Sequence, residues 1–411
     1  MRKCIPARSL LVFAGLRGQK LRGFSTVVNN VERVSVRNGS SGTFTIDLHN
    51  IAKVSSLDPL LVYLPPYSTS LTDKPLQLPK FMQRRPAAVI NYRWTGFTAF
   101  EAEDVSAQLD EDRDAHLSWP APIHDAAKAY DWIVENLGPS TYTRRDIYLY
   151  GSYLGASLAT SLALTETHPH ARMGVRGCLA YNGIYNWTMF LPDHPINKLP
   201  KLRTMSILEE ILTQPHDPVF RDLKQHAEAL FGRPGNLFDP FASPCLFFHT
   251  PGLHVPPSFD ASAIPQASPL PDIANDLLGV FAPVKAPRKS ALIFPPRKST
   301  LKIPETLLLY SPPPPLPPSP LRRRQRRKKE PLGNSFAAQA EELAALMRRS
   351  IDKVELKERL IWDDEFDGWN DEAVRRVQVA DVGPNAGDWE LDGKGEDVAA
   401  AWLEDRISHA R

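Results

Sequence analysis

The sequence has no run approaching the ~20 uninterrupted apolar residues that a bilayer-spanning helix requires. Cysteine is scarce: Cys4, Cys178 and Cys245 are the whole complement of 411 residues. Three such positions make neither a metal-ligand spacing nor an even-numbered disulfide framework, so a reducing interior is expected. Acidic residues are missing from the first 31 positions, the first being Glu32. Histidine is missing late: after His254 only His409 remains, two residues from the end.

The acid-free start, "MRKCIPARSLLVFAGLRGQKLRGFSTVVNNV", carries Arg2, Lys3, Arg8, Arg17, Lys20 and Arg22. A basic segment with an apolar face is the pattern of a mitochondrial presequence, and "RGFS" at 22–25 places arginine third before a cut after Phe24. A secretory signal fits less well, because "LLVFAGL" is flanked by positive charge and lacks a small-X-small exit. Residues 1–24 are therefore expected to be a presequence and the mature protein to reside in the mitochondrial matrix. Their removal takes the formal net charge from +2 to −4, so the body of the protein is not broadly basic.

What is abundant is proline, 39 residues in clusters that punctuate the chain. "VERVSVRNGSSGTFTIDLHNI" is two alternating runs around an Asn-Gly turn, a hairpin pattern. "PLLVYL" (59–64) and "AAVINY" (87–92) are short apolar runs of buried-strand type. "PAPIHDAAKAYDWIVENL" (120–137) predicts a helix with Ile123, Ala127, Tyr130, Ile133 and Val134 on one face. Strand, turn and helix follow at 146–165, then a strand in "GVRGCLAYNGIY". Residues 187–300 lose this regularity and read as a cap or lid with a proline-rich insert. "PETLLLYS" (304–311) returns to the sheet, "SFAAQAEELAALMRRSI" is an amphipathic helix capped by Ser335, and "VRRVQVADVG" (374–383) is a last strand before a closing helix. Alternating strands and helices imply an α/β class.

The chemistry concentrates at 147–164, "IYLYGSYLGASLATSLAL". An apolar strand meets Gly-X-X-X-Gly and a small-residue helix, the arrangement of a nucleophile elbow. There the glycines admit a tight turn, the central side chain stands above the sheet, and the next amide serves an oxyanion hole. Gly151 and Gly155 take the glycine positions, Ser152 precedes the centre, Tyr153 holds the nucleophile position and Leu154 the oxyanion position. "GSYLGASLA" resembles, position for position, the Gly-Asp-Ser-Ala-Gly-Gly-Asn-Leu-Ala of the hormone-sensitive-lipase-like group of α/β-hydrolases. "WPAPIHDAAKAYDWI" is similar to that group's Pro-X4-Asp-X3-Ala-X2-Trp helix, "AAVINYRW" to its strand ending in Asp-Tyr-Arg, and "LVYLPPYSTS" stands where its oxyanion strand and His-Gly-Gly loop belong. The resemblance covers residues 31–186 well. It implies an α/β-hydrolase-like, mostly parallel eight-stranded sheet flanked by helices, with a core formed by 25–186 and 301–411 around the 187–300 cap.

The departures fall on the chemistry that the resemblance implies. The nucleophile is a tyrosine, whose phenol (pKa ~10) reacts only when a base or cation activates it. Pro65 and Pro66 replace glycines in the oxyanion loop, and proline has no N–H to donate. "SPPPPLPPSP" offers no carboxylate where the acid should follow the strand at 304–310. The last strand leads to "ADVGPNAGDW", with Asp381 but no imidazole. Ser157, in "GASLA", is an alternative nucleophile expected to lie on a helix face. His116, His124, His168 and His170 suit surface or capping roles, and the last two form no spaced metal site. No catalytic triad, cofactor or metal site is therefore expected.

Two further features point outward. Residues 311–333 join polyproline to a basic run, Arg322, Arg323, Arg324, Arg326, Arg327, Lys328 and Lys329, suited to polyanion contact with RNA or anionic lipid. Residues 351–411 hold 17 acidic against 8 basic side chains, a net −9 that the basic run could meet. "PGNLFDPFASPCLFFHTPGLHVP" (234–256) is expected either to pack the core or to line a hydrophobic cleft. The composite expectation is an inactive hydrolase-like protein acting in binding or assembly, with a protein partner or a larger mitochondrial, ribonucleoprotein-type particle. The rival readings are a carboxylesterase-like enzyme of short-chain or lipid esters with an atypical nucleophile, and a carrier of a small apolar ligand.

Overall fold

The computed structural model describes residues 25–28, 31–51, 58–69, 75–97, 117–139, 142–197, 217–255, 286–313, 333–357, 371–384 and 389–410. Residues 1–24, expected to be a presequence, and the basic run 322–329 lie outside the described residues, as does His116. One sheet organises the rest. Its strands are β1 (Ser25–Val28), β2 (Val31–Arg37), β3 (Thr43–His49), β4 (Leu60–Leu64), β5 (Ala87–Asn91), β6 (Arg145–Ser152), β7 (Met173–Tyr181), β8 (Glu305–Tyr310) and β9 (Val377–Asp381). They lie in the order β1-β2-β3-β5-β4-β6-β7-β8-β9.

The first three joins, through β1, β2, β3 and β5, are antiparallel, and the remaining five are parallel. The sequence pattern tracks this change. β2 alternates buried and exposed side chains, as an antiparallel strand near an edge does, whereas β4 and β5 are buried at every residue. Among the described residues the sheet has nine strands, the expected mostly parallel sheet of eight with one more at its edge. The extra one, β1, is four residues long and pairs Ser25 with Val34 and Val28 with Val31, too short a run for alternation to reveal it. The last strand is also shorter than its sequence suggests, because Glu372–Arg376 are helical and β9 starts at Val377.

Helix α1 (Ala121–Leu137) buries Ile123, Ala126, Ala129, Tyr130 and Ile133. Of the expected face Ile123, Tyr130 and Ile133 are buried and Val134 half-buried; Ala127 alone is exposed, its place taken by Ala126. Helix α2 (Leu154–Glu166) is buried on every side through Leu164, as a helix without a polar face must be. Beyond Asn186 come short helical turns with α3 (Pro218–Gln225) and α4 (Ala227–Phe231). They are tied down by polar contacts: Trp94 Nε1 donates to the Leu230 carbonyl (2.8 Å), Trp119 Nε1 to Asp239 (2.9 Å), and Ser161 Oγ to the Phe241 carbonyl (2.7 Å). Helix α5 (Phe336–Ser350) starts at Ser335, whose Oγ accepts from the Ala338 amide at 3.2 Å. It is followed by α6 (Glu372–Arg376) and the closing helix α7 (Gly393–Ala410). Among the described residues no helix is long and apolar enough to cross a membrane.

Candidate catalytic site

The turn from β6 into α2 is built as the sequence predicts. Tyr153 sits between them at φ 49°, ψ −111°, a conformation that costs a side-chain-bearing residue about 1–3 kcal/mol. Its surroundings impose it. The Tyr153 amide donates to the Tyr181 carbonyl (2.8 Å), and the Ala156 amide to the Tyr153 carbonyl (3.2 Å). Gly155 passes so close beneath the carbonyls of Leu64 and Pro65 that a Cβ there would overlap both oxygens. The elbow is intact as backbone.

The space above it is packed with rings. Tyr153 is 1% exposed. Its ring lies edge-on to Trp389 (centroids 4.8 Å), Tyr181 (5.6 Å) and Phe336 (5.7 Å). Trp389 in turn meets Tyr67 (5.6 Å) and Phe97 (5.3 Å). Each ring comes from a different segment, so the contacts knit the loops after β4, β5 and β9 to the start of α5. Asn182 Nδ2 donates to the Tyr153 hydroxyl at 3.2 Å. Trp389 is what the chain after β9 presents to the elbow, where the resemblance calls for histidine, and an indole has no ring nitrogen able to accept a proton.

The acid and oxyanion positions are spent as well. After β8 comes Ser311, whose hydroxyl pairs with the Tyr181 hydroxyl (2.8 Å) and whose amide donates to Asn182 Oδ1 (2.9 Å). The Leu154 amide, the donor that an oxyanion hole would use, points at the carbonyl of Pro66, 3.2 Å away. The neighbouring Pro65 carbonyl accepts from the Tyr92 hydroxyl at 2.7 Å. The loop that should supply donors supplies acceptors instead.

The alternative nucleophiles fare no better. Ser157 is buried on α2 and donates to the Ile184 carbonyl at 2.6 Å. Ser152 is buried against the stacked rings of Tyr63 and Tyr150 (5.0 Å), whose phenols burial pushes upward in pKa. Cys178 and Cys245 are free and buried, and burial raises the Cys178 thiol to about 12, far from the thiolate. Asp381 accepts from the Gly383 amide in its own turn (2.8 Å), His168 meets Thr300 (2.8 Å), and His124 and His170 are exposed. His409 lies at the end of α7, as expected. Among the described residues no group of three His, Cys, Asp or Glu could hold a metal ion.

The motif residues outside the chemical positions have kept structural work. Asp125 of the Pro-X4-Asp helix receives Arg93 Nε (2.8 Å), Arg93 Nη2 (2.7 Å) and the Arg93 amide (3.1 Å), with Asn38 Nδ2 at 2.7 Å. Asn91, where the resemblance has aspartate, donates to Thr45 and to Asp47 at 3.0 Å each. These bonds pin α1 and β3 to the end of β5. With β1 set aside, the antiparallel start, the β5-before-β4 inversion and the parallel run that follows, carrying the elbow after its central strand, decide the architecture. The chain has the α/β-hydrolase fold.

Solved structures that the chain is similar to include an esterase from the hyperthermophilic archaeon Pyrobaculum calidifontis, at 13% identity and TM-score 0.45, covering 93% of this chain and 85% of that one. Carboxyl esterase 2 of the mycorrhizal fungus Tuber melanosporum is similar at 13% identity and TM-score 0.45, covering 98% and 95%. The metagenomic carboxylesterase EstE1 is similar at 12% identity and TM-score 0.44, covering 93% and 90%. Neither a protein-family model nor a curated protein matches the chain.

The sequence located the strand–turn–helix of the elbow but not the ring cluster that fills it. Trp389, Phe336 and Tyr181 are remote from Tyr153 in the chain. The one available signal was an aromatic residue in the segment expected to carry histidine.

Proposed function

We propose that this α/β-hydrolase-fold protein performs no serine-type hydrolysis and acts instead by binding, as a component or associate of a larger mitochondrial assembly. One observation carries the inactivity: the Leu154 amide is bonded to the Pro66 carbonyl beneath a buried Tyr153. A tetrahedral oxyanion would have to displace that carbonyl and find its second donor in a loop of two prolines. The esterase reading needs a base for the Tyr153 phenol, and the group that packs on its ring after β9 is an indole. The apolar-carrier reading needs a cavity at the elbow, where aromatic rings already lie in contact. The mitochondrial destination rests on the acid-free segment 1–24, and the assembly role on the basic run 322–329 and the acidic tail.

The test treats the purified protein with a fluorophosphonate probe, reads adducts by intact mass, and assays short-chain p-nitrophenyl esters in parallel. No adduct and no turnover are expected from folded protein. A stoichiometric adduct at Tyr153 or Ser157, with turnover lost on substitution to Ala, would overturn the reading. Sedimentation of mitochondrial lysate tests assembly, with migration alongside a large particle expected and migration as a free single chain counting against it.

A further inference from the structure

Away from the elbow the molecule carries a cleft of about 750 Å³. Helix α5 links the two places. Its first residue, Phe336, touches Tyr153, while its last turn and the π turn that continues it (Ile351–Glu355) line the cleft, about 20 Å further along at 1.5 Å per residue. The opposite wall is a short antiparallel contact. The His249 and Ala291 backbones pair there, with the Leu292 amide donating to the Phe248 carbonyl (2.8 Å) and the Thr250 amide to the Ser290 carbonyl (2.8 Å).

The lining is strongly polarised. Lys289, Arg297, Arg349, Lys353 and Lys357 face it, and among the described residues its lining holds no carboxylate. Lys289 alone is matched, by Glu342 at 3.1 Å; among the described residues the other four have no ion-pair partner. His249 adds a buried polar atom. Its Nδ1 meets the Thr250 carbonyl (2.8 Å), while Nε2, 3.7 Å from Glu342, is without a hydrogen-bond partner. Between the cations the surface is aliphatic. Leu292 and Ile293 stand 47% and 56% exposed, and Leu346 and Val354 continue the apolar strip from the helix side.

Unpaired cations call for an anion, and an aliphatic strip of this size among them calls for hydrocarbon on the same ligand. Nucleic acid is the poorer match, because single-stranded RNA is held by rings on which bases stack. The rings of the lining, Phe248 and His249, are 4% and 3% exposed and offer no face to a base. We propose that the cleft between the 248–250/289–293 strand pair and the end of α5 binds a phosphorylated amphiphile. Its phosphate ester is held by Arg297, Arg349, Lys353 and Lys357, and its acyl chain lies on Leu292, Ile293, Leu346 and Val354. The shared chemistry is a phosphate ester joined to an acyl chain, whether free in solution or in the face of a bilayer. This site is separate from the elbow, takes none of its lining from the basic run 322–329, and stands whether or not the elbow is inactive.

The experiment titrates the full chain with dihexanoyl phosphatidic acid as a dispersed monomer, by calorimetry. In parallel it measures co-sedimentation with vesicles of phosphatidylcholine alone and of phosphatidylcholine containing phosphatidic acid. Saturable one-to-one binding of the soluble lipid is expected. Vesicle binding that requires phosphatidic acid assigns the ligand to a membrane, and soluble binding alone assigns it to a free phosphorylated ligand. The double substitution Arg349→Gln/Lys353→Gln is expected to weaken soluble binding by about tenfold or more through loss of two charge-assisted contacts. Leu292→Ser/Ile293→Ser is expected to do the same through lost apolar burial, by about tenfold. All four residues are exposed, and circular dichroism with thermal unfolding verifies that the variants fold. Changing the seven cations of the 322–329 run to Gln is expected to leave soluble binding within about twofold, since none of them is among the residues that line the cleft. The proposal is overturned if there is no saturable binding, if inorganic phosphate binds as tightly, or if the cleft variants bind like the parent. It is equally overturned if a short single-stranded RNA binds more tightly and displaces the lipid.

Discussion

The elbow and the basic cleft sit at opposite ends of α5 and handle polar groups in opposite ways. At the elbow, the Leu154 amide, the Tyr153 hydroxyl, the Ser311 hydroxyl and the Asn182 side chain each meet another group of the same protein. In the cleft four cations, Arg297, Arg349, Lys353 and Lys357, meet none among the described residues. A site that satisfies itself has no free energy left to offer a ligand, because each group would have to exchange one bond for another. A site that leaves charge unmatched holds that free energy in reserve. The difference places recognition in the cleft and stability at the elbow, although the elbow is the part that looks like an enzyme.

The strongest way to break the comparison is at the residues that buttress the elbow end. Asp125→Ala removes a fully buried carboxylate and leaves Arg93 buried without its counter-charge. Urea unfolding is expected to show a loss of about 3–5 kcal/mol. A loss below ~1 kcal/mol would mean that water reaches the pair and that the elbow end is loosely packed.

Next in size is Tyr153→Ser, which restores the residue that a hydrolase elbow requires. Removing a ring 1% exposed and packed on three others is expected to cost about 3 kcal/mol or more. It is also expected to yield no ester turnover, because Leu154 still donates to Pro66 and Trp389 still stands over the site. Turnover from this single change would show that the Pro66 contact opens readily and would erase the contrast with the cleft.

How much of this was legible in the sequence follows from the range of each interaction. The elbow, the hairpin of β2 and β3, and the Ser335 cap rest on neighbours within a few residues, so local spacing carried them. The missing nucleophile, acid, base and loop glycines were visible as substitutions at fixed places in a pattern. The ring cluster was not, because Tyr153, Phe336 and Trp389 meet only once the sheet is closed. The cleft was hidden for the same reason. Segment 234–256 carried an expectation of either core packing or a hydrophobic cleft: Leu237, Cys245, Leu246 and Phe248 are core, and Phe248 and His249 also border the basic cleft, which is not the apolar one expected. Its cations come from segments some 60 residues apart that no periodicity connects. Ala127 was misplaced by one position because three alanines in nine residues leave the face of α1 ambiguous until Ile123, Ala126 and Tyr130 meet the sheet.

A smaller effect is expected where the two regions meet, at Glu342 on α5. Burial pushes its carboxyl upward, but His249, Asn186 and Lys289 outweigh this and hold it at about 2, below the usual 4.5. A depressed folded-state value means that the stabilisation is complete above about pH 4.5 and is lost as pH falls toward 2. Glu342→Gln is therefore expected to lower stability by roughly 2–3 kcal/mol at pH 7, with the gap from the parent closing between about pH 4.5 and the acid limit. Parallel thermal melts of the two proteins across that range check it. A gap that stays constant down to pH 3 would assign the loss to packing instead of charge.

The smallest effect is the sharpest test of the contrast. Arg349→Gln/Lys353→Gln removes two exposed cations that no carboxylate holds, so stability is expected to change by no more than about 0.5 kcal/mol. Relief of repulsion among the cleft's cations gives the change a stabilising sign, and salt should shrink it, since added ions screen charges that face water. Thermal unfolding at low and at physiological ionic strength reads both. A destabilisation above ~1 kcal/mol would mean that these side chains are already satisfied within the protein, as those of the elbow are. The two regions would then differ in residue type alone and not in what they leave free for a ligand.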